Sequence, residues 1–250
     1  MAQATFRIWR GGAQGGEFRE YATEVAPGMV VLDAVHRIQA ESAPDLAVRW
    51  NCKAGKCGSC SAEVNGRPKL MCMTRLGDLP LDRPVTIEPM RAFPPLRDLV
   101  TDVGWNYRAK QAIRPFRPRP PDAPDGTWRM QQQDVDRVQE FRKCIECFLC
   151  QDVCHVLRDH AKHAQFAGPR LFVYTAALEM HPLDVERRGD ELRQRQGIGY
   201  CNITKCCTKV CPEEITITDN AIIPLKERVV DEHYDPLLRL LRRIGGGGAA

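Results

Sequence analysis

Cys52-Lys53-Ala54-Gly55-Lys56-Cys57-Gly58-Ser59-Cys60 decides how the rest of the chain reads. Three cysteines stand at x4 and x2 spacing, and a fourth, Cys72, follows after eleven intervening residues. A zinc site prefers two compact cysteine pairs, which this spacing does not supply. Four thiolates in this pattern are the ligand set of a [2Fe–2S] cluster. The residues between them suit that chemistry. Gly55 and Gly58 let the loop close where a side chain would collide with sulfide, and closely spaced backbone N–H groups offset the negative charge of such a cluster.

The flanking sequence reads as a small mixed β domain. Residues 5–10 and 17–25 have the pattern of short strands, joined through Gly11-Gly12-Ala13-Gln14-Gly15-Gly16. No helix follows that glycine run, so it predicts a hairpin turn rather than a phosphate loop. Pro27-Gly28 marks another turn. Residues 31–41 predict an amphipathic helix with Leu32, Val35 and Ile38 on one face, and residues 85–88 a closing strand. Pro115, Pro118, Pro120, Pro121 and Pro124 fall within residues 114–125, which predicts an extended crossing. Beyond it, residues 133–143, 171–180, 184–196, 221–231 and 236–243 read as helices, the third of them charged and mostly solvated.

A second constellation, Cys144-x2-Cys147-x2-Cys150-x3-Cys154, is the bacterial-type run whose fourth cysteine serves the other cluster of a pair. Its partner run is Cys201, Cys207 and Cys211-Pro212, with Thr204 standing where the template has a further cysteine. Crossed pairing assigns Cys144, Cys147, Cys150 and Cys211 to a [4Fe–4S] cluster. Cys154, Cys201 and Cys207 remain, three thiolates that suit a [3Fe–4S] cluster. Cys206 has two readings: an alternative ligand, or a buried thiol acting as a small hydrophobe.

Twelve cysteines in 250 residues do not make a secreted disulfide scaffold, which would be short and loop-rich. They point to metal, with a structural zinc protein as the rival from a different class. Lys plus Arg (36) against Asp plus Glu (32) leaves a net charge of +4, too mild for a nucleic-acid surface. No run approaches the roughly 20 apolar residues of a membrane helix. Residues 1–9 lack the charged-then-apolar layout of a secretory signal, which predicts a cytoplasmic protein.

"CKAGKCGSC" with Cys72, "CIECFLC" and "CCTKVCP" together resemble the iron–sulfur subunit of succinate dehydrogenase and fumarate reductase, over essentially the whole chain. The resemblance implies an α+β fold. An N-terminal β-grasp [2Fe–2S] ferredoxin-like domain (residues 1–105) would be followed by a Pro-rich linker (106–133), an α-helical bacterial-type ferredoxin domain (134–244) and a flexible tail (245–250). It also implies partners: a flavoprotein carrying FAD and the dicarboxylate site, and a membrane anchor that binds quinone. Electrons from succinate would run from FAD through the [2Fe–2S], [4Fe–4S] and [3Fe–4S] clusters to quinone, at the cytoplasmic face of the membrane. This chain would hold no catalytic residue of its own. Fumarate reduction is the same route reversed.

Two departures from the family pattern bear on the quinone. The stretch Cys154-His155-Val156-Leu157-Arg158-Asp159-His160 lacks the proline and aromatic pair of many members, and Asn202 stands where ubiquinone-using members carry histidine. They imply menaquinone and a different anchor arrangement. His155, His160 and His163 read as surface or capping residues rather than proton donors to quinone. Arg114, Arg117, Arg119 and Arg129 read as a contact for the flavoprotein, Trp50 as packing around the first cluster, and residues 237–241 either as core or as a face towards a membrane subunit.

Overall fold

The structure, a computed structural model, describes residues 2–236. The glycine run is the tip of a hairpin between β1 (Ala2–Gly12) and β2 (Gly15–Val25), with Gly11 opposite Gly16 and Gly12 opposite Gly15. Both strands are longer than predicted, because the glycine pairs continue the ladder. A Cβ on Gly16 would run into the Arg10 carbonyl and the Trp9 ring, so the ladder closes only without side chains there. Ala4, Phe6 and Ile8 alternate into the core, the period of a half-buried strand.

The strand β5 (Val85–Glu88) runs parallel to β1, pairing Phe6 with Val85 and Ile8 with Ile87. Beyond it lie β3 (Ser61–Val64) and β4 (Arg67–Leu70), joined by Asn65-Gly66 with both residues left-handed (φ 50° and 71°), as a two-residue hairpin turn requires. Helix α1 (Val31–Glu41) has the predicted bounds and buries Val31, Leu32, Ala34, Val35 and Ile38. This helix-packed mixed sheet is the expected β-grasp. The strand at 85–88 does not close it: β6 (Pro95–Arg97) and β7 (Val100–Thr101) continue the sheet, in an order β4-β3-β5-β1-β6-β7 with β2 also on β1, and α2 (Gly104–Gln111) follows in the chain. Strands of two and three residues are too short to leave a period in the sequence.

Packing divides the chain into two compact units. One holds residues 2–107, 144–161 and 206–214, and so joins the sheet to the short helices α4 (Leu149–Asp152), α5 (His155–Arg158) and α8 (Cys206–Lys209). A charged group is buried inside it. Glu63 on β3 has no exposed side-chain surface and pairs with Arg158 on α5 at 2.8 Å. Nearby, Asp152 accepts from the Ala92 amide at 2.9 Å. Burial pushes Glu63 up, against the pull of Arg158, and pushes Asp152 up to about 7, with Glu63 acting in the same direction.

The other unit holds residues 108–143, 162–205 and 215–236. In it, α3 (Gln132–Gln139) runs on through a 3₁₀ turn to Lys143, and α6 (Pro169–Glu179) opens with proline and buries Leu171, Phe172, Val173 and Ala176. A π-helical turn (Ile217–Ile222) leads into α9 (Ile223–His233). Pro224 has no N–H for the carbonyl four residues back, and the turn before it widens, the Ile223 amide reaching Thr218 O.

The helix expected over residues 184–196 is a correction. Only α7 (Gly189–Gln194) forms, and Arg188, Glu191 and Leu192 are buried rather than solvated. The reason lies with Arg188. Its guanidinium donates to the Arg114 carbonyl (2.9 Å), the Pro115 carbonyl (2.8 Å) and Asp184 (2.8 Å), all inside the unit. Val185 N to Arg117 O and Arg119 N to Leu183 O then hold residues 183–185 extended beside the proline segment. Arg114 and Arg117 pair with Glu186, Arg114 also with Glu191, and Arg119 with Asp122, so much of the basic stretch is neutralised within the unit. Residues 237–250, with the predicted last helix, the apolar face at 237–241 and the glycine tail, lie outside the described residues.

Two substitutions test these buried pairs. Arg188→Met takes the donor from Asp184 Oδ2 and from two carbonyls, and is expected to cost about 3–5 kcal/mol in denaturant unfolding; a cost below about 1 kcal/mol would place the group in solvent. Arg158→Met strands the Glu63 carboxylate and should destabilise by a similar amount, about 3–5 kcal/mol. The double substitution with Glu63→Gln should recover much of that loss.

Candidate metal centres

All twelve cysteines fall among the described residues, and none forms a disulfide. The first four lie in the loop before β3 and just after β4. Ala54 N (3.4 Å) and Lys56 N (3.3 Å) donate to Cys52 Sγ, Cys52 N to Cys57 Sγ (3.5 Å) and Cys72 N to Cys60 Sγ (3.5 Å). Lys53, Gly55 and Gly58 are left-handed, which turns these amides inward. A Cβ on Gly58 would sit 2.6 Å from Cys147 Cα. Burial pushes the Cys57 thiol up, but hydrogen bonds from Ser59 and Cys52 outweigh it and bring it down to about 6. Cys60, more deeply buried, is pushed up to about 12. Trp50 is 47% exposed, edge-on to His36 and under the Lys53 ammonium.

Cys144, Cys147, Cys150 and Cys154 follow along the 3₁₀ turn, a left-handed pair of residues and α4. Glu146 and Phe148 carry φ of 55° and 61°, and the Phe148 ring is anchored edge-on by Phe93 and Tyr107. Burial pushes Cys147 up to about 12, with the neighbouring Cys144 and Cys211 thiolates acting the same way. Cys150 rises well above its usual value by burial and by Cys147, Cys144, Cys207 and Cys211. Cys154 is pushed up to about 12 by burial, receives the Val156 and Leu157 amides, and stands near Cys206 and Cys207.

Cys201 lies in the second unit after the 3₁₀ turn Ile198–Tyr200, its carbonyl accepting from Lys226 Nζ at 2.6 Å. Ile203 and Lys205, on either side of the exposed Thr204, are left-handed. Cys206 is half-buried, not the fully buried hydrophobe considered from sequence. It lines a cleft of about 630 Å³ with Arg67, Lys69, Arg75, Arg158 and Lys209. His155 opens α5 half-buried, and His160 is exposed, with their rings 6.2 Å apart.

These residues fit iron–sulfur clusters. Lys53, Glu146, Phe148, Ile203 and Lys205 are five non-glycine residues held left-handed beside the cysteines, each at a cost of about 1–3 kcal/mol. Alternating handedness turns successive N–H groups into concave anion sites, the surroundings of cluster sulfur. The buried thiols resist ionisation until a cation joins them, which cluster iron supplies. Among the described residues, no three His, Cys, Asp or Glu side chains are grouped as a single ion would require. The cysteines and glycines were legible from spacing; the non-glycine left-handed residues and the Glu63–Arg158 pair carried no pattern that sequence reasoning could use.

Comparison with known proteins agrees with this chemistry. The family described as a 2Fe-2S iron-sulfur cluster binding domain matches residues 5–106, and that described as a 4Fe-4S dicluster domain matches residues 140–215. The fumarate reductase iron-sulfur subunit of Mycobacterium tuberculosis is 33% identical over 202 residues, 79% of this chain and 80% of that protein. The fumarate reductase iron-sulfur subunit of Escherichia coli O6:H1 is 30% identical over 190 residues, 74% of this chain and 75% of that protein. A solved chain of the Mycobacterium smegmatis Sdh1 complex in the apo form superposes with a TM-score of 0.90 at 60% identity, covering 94% of this chain and 98% of that one. With two cysteine-lined binding domains in this order and relatives matched over most of their length, the chain belongs to the succinate dehydrogenase/fumarate reductase iron–sulfur subunit family, the electron-transfer subunits of these oxidoreductases.

Proposed function

We propose that this chain serves a succinate:quinone oxidoreductase, accepting electrons from the FAD of a flavoprotein subunit and passing them to menaquinone through a membrane anchor at the cytoplasmic face. Cys52, Cys57, Cys60 and Cys72 hold a [2Fe–2S] cluster, Cys144, Cys147, Cys150 and Cys211 a [4Fe–4S] cluster, and Cys154, Cys201 and Cys207 a [3Fe–4S] cluster. The observation that carries this reading is the neighbourhood of Cys211. It acts on Cys147 and Cys150, and Cys154 stands near Cys206 and Cys207, which supports crossed pairing; Cys150 also feels Cys207, so the two groups adjoin there. When bound, the clusters supply one-electron carriers.

The chain's own work is to hold and tune. Ala54 and Lys56 amides donate to Cys52, and Val156 and Leu157 amides to Cys154; donors at sulfur raise the potential of a cluster, and burial excludes water from it. Thr204, with no thiol, leaves the last group one ligand short of four. The absence of a proline–aromatic run after Cys154, and Asn202 in place of histidine, support menaquinone. Among the described residues no helix is long and apolar enough to cross a membrane.

The direction of succinate oxidation rests on the 60% identity to a chain of the Sdh1 complex. The second reading, fumarate reduction, is favoured by relatives named fumarate reductase subunits. Direction follows the quinone potential, with about 30 mV shifting a two-electron equilibrium tenfold.

Low-temperature EPR of the anaerobically isolated complex tests the assignment. A three-iron signal is expected in the oxidised sample, and [2Fe–2S] and [4Fe–4S] signals on dithionite reduction. Cys57→Ala should erase the [2Fe–2S] signal and stop succinate-to-quinone transfer; normal turnover in that variant would sink the electron route. Thr204→Cys should convert the three-iron signal to a four-iron one, and an unchanged spectrum would show that Thr204 does not stand at the vacant ligand position.

A further inference from the structure

The first and second cysteine groups meet backbone to backbone at Gly58 and Cys147, and one side chain bridges that contact. Gly58, next to Cys57, packs so tightly on the second loop that an added Cβ would lie 2.6 Å from Cys147 Cα and 2.9 Å from Cys147 N. Ser61, next to Cys60, places its hydroxyl 2.9 Å from the Gly58 carbonyl and 2.9 Å from the Cys147 carbonyl, out of water. A serine hydroxyl has one proton, and here two carbonyl oxygens share it. Remove it, and the Gly58 and Cys147 carbonyls lose the donor they share, which drives them apart or admits water. Beside this contact lies a cavity of about 120 Å³, lined in part by Cys57, Ser61, Glu146 and Cys147. Further along, Lys56 of the first loop pairs with Glu213, two residues beyond Cys211, at 3.1 Å. That pair is 70% exposed on the lysine side and worth little, so the hydroxyl bridge is the stronger tie.

We propose that Ser61 is a positioning residue for electron transfer: its hydroxyl clamps the loop of Cys57 and Cys60 onto the backbone of Cys147 and gives the electron a hydrogen-bonded route between the first and second cysteine groups. This rests on the cluster assignment above. With both clusters bound, one electron would pass from the group that Cys52, Cys57, Cys60 and Cys72 would hold to the one that Cys144, Cys147, Cys150 and Cys211 would hold. No bond breaks, and the Ser61 hydroxyl keeps its proton. Gly58 is the second half of the device, since any side chain there would wedge the loops open.

The test uses the isolated complex with wild-type Ser61, Ser61→Ala, Ser61→Thr and Ser61→Val. Two quantities are read: the magnetic interaction between the two reduced clusters, from EPR power saturation, and the rate of electron transfer between them after laser-flash reduction by a photoexcited deazaflavin. Ser61→Ala is expected to weaken the interaction and slow the transfer several-fold, with both cluster signals retained. Ser61→Thr, which keeps the hydroxyl, should restore both quantities. Should Ser61→Ala fail to retain its iron, the Thr and Val variants, nearly identical in shape, decide the matter, and only Val should be slow. Equal rates and equal coupling in Thr and Val would overturn the role of Ser61 while leaving the clusters in place. Absence of either cluster signal from the wild-type complex would overturn the cluster assignment, and this role with it.

Discussion

A thiolate taken out of water needs either a cation or a set of N–H donors, and the structure is organised around that requirement. Every cysteine is buried or half-buried, and burial, with neighbouring thiolates acting the same way, pushes Cys60, Cys147 and Cys154 up to about 12. The chain answers with backbone. Left-handed residues curl the loops so that amides converge on sulfur, and glycine stands where one loop must touch another. The cost of those conformations, on the order of 1–3 kcal/mol each, makes sense only if something anionic is held by the result.

The β-grasp sheet and the short cysteine-bearing helices depend on the same economy of charge. Glu63 stands in a strand whose four residues are all buried, and its carboxylate is balanced by Arg158, four residues after Cys154. Asp152, between Cys150 and Cys154, ties the same helical segment to the Ala92 amide. Thus the cysteine segment is fastened to the sheet by polar contacts on one side and by the Ser61 hydroxyl on the other. Rigid fastening of this kind suits a carrier that must not rearrange when its charge changes by one.

What could be read from the sequence follows from the range of each signal. Helix α1 and strand β5 were legible to the residue, because apolar period and turn residues are local. Cysteine spacing was legible because coordination imposes it directly. Strands β6 and β7 escaped, being too short to show alternation. The segment around Arg188 misled for a different reason: its charges suggest solvent, but they are satisfied by carbonyls more than seventy residues earlier in the chain. Long-range polar satisfaction leaves no local mark. The same holds for Glu63 and for the hydroxyl of Ser61.

The unit that contains the amino-terminal sheet is finished only by residues 206–214. On a ribosome adding about 5–20 residues per second, the sheet would emerge many seconds before the helix that carries Cys206 and Cys207. During that interval Cys144, Cys147 and Cys150 would have left the exit tunnel without Cys211. The second cysteine group is therefore complete only once Cys211 has emerged, and until then its earlier thiols stand open to oxidation without their partner.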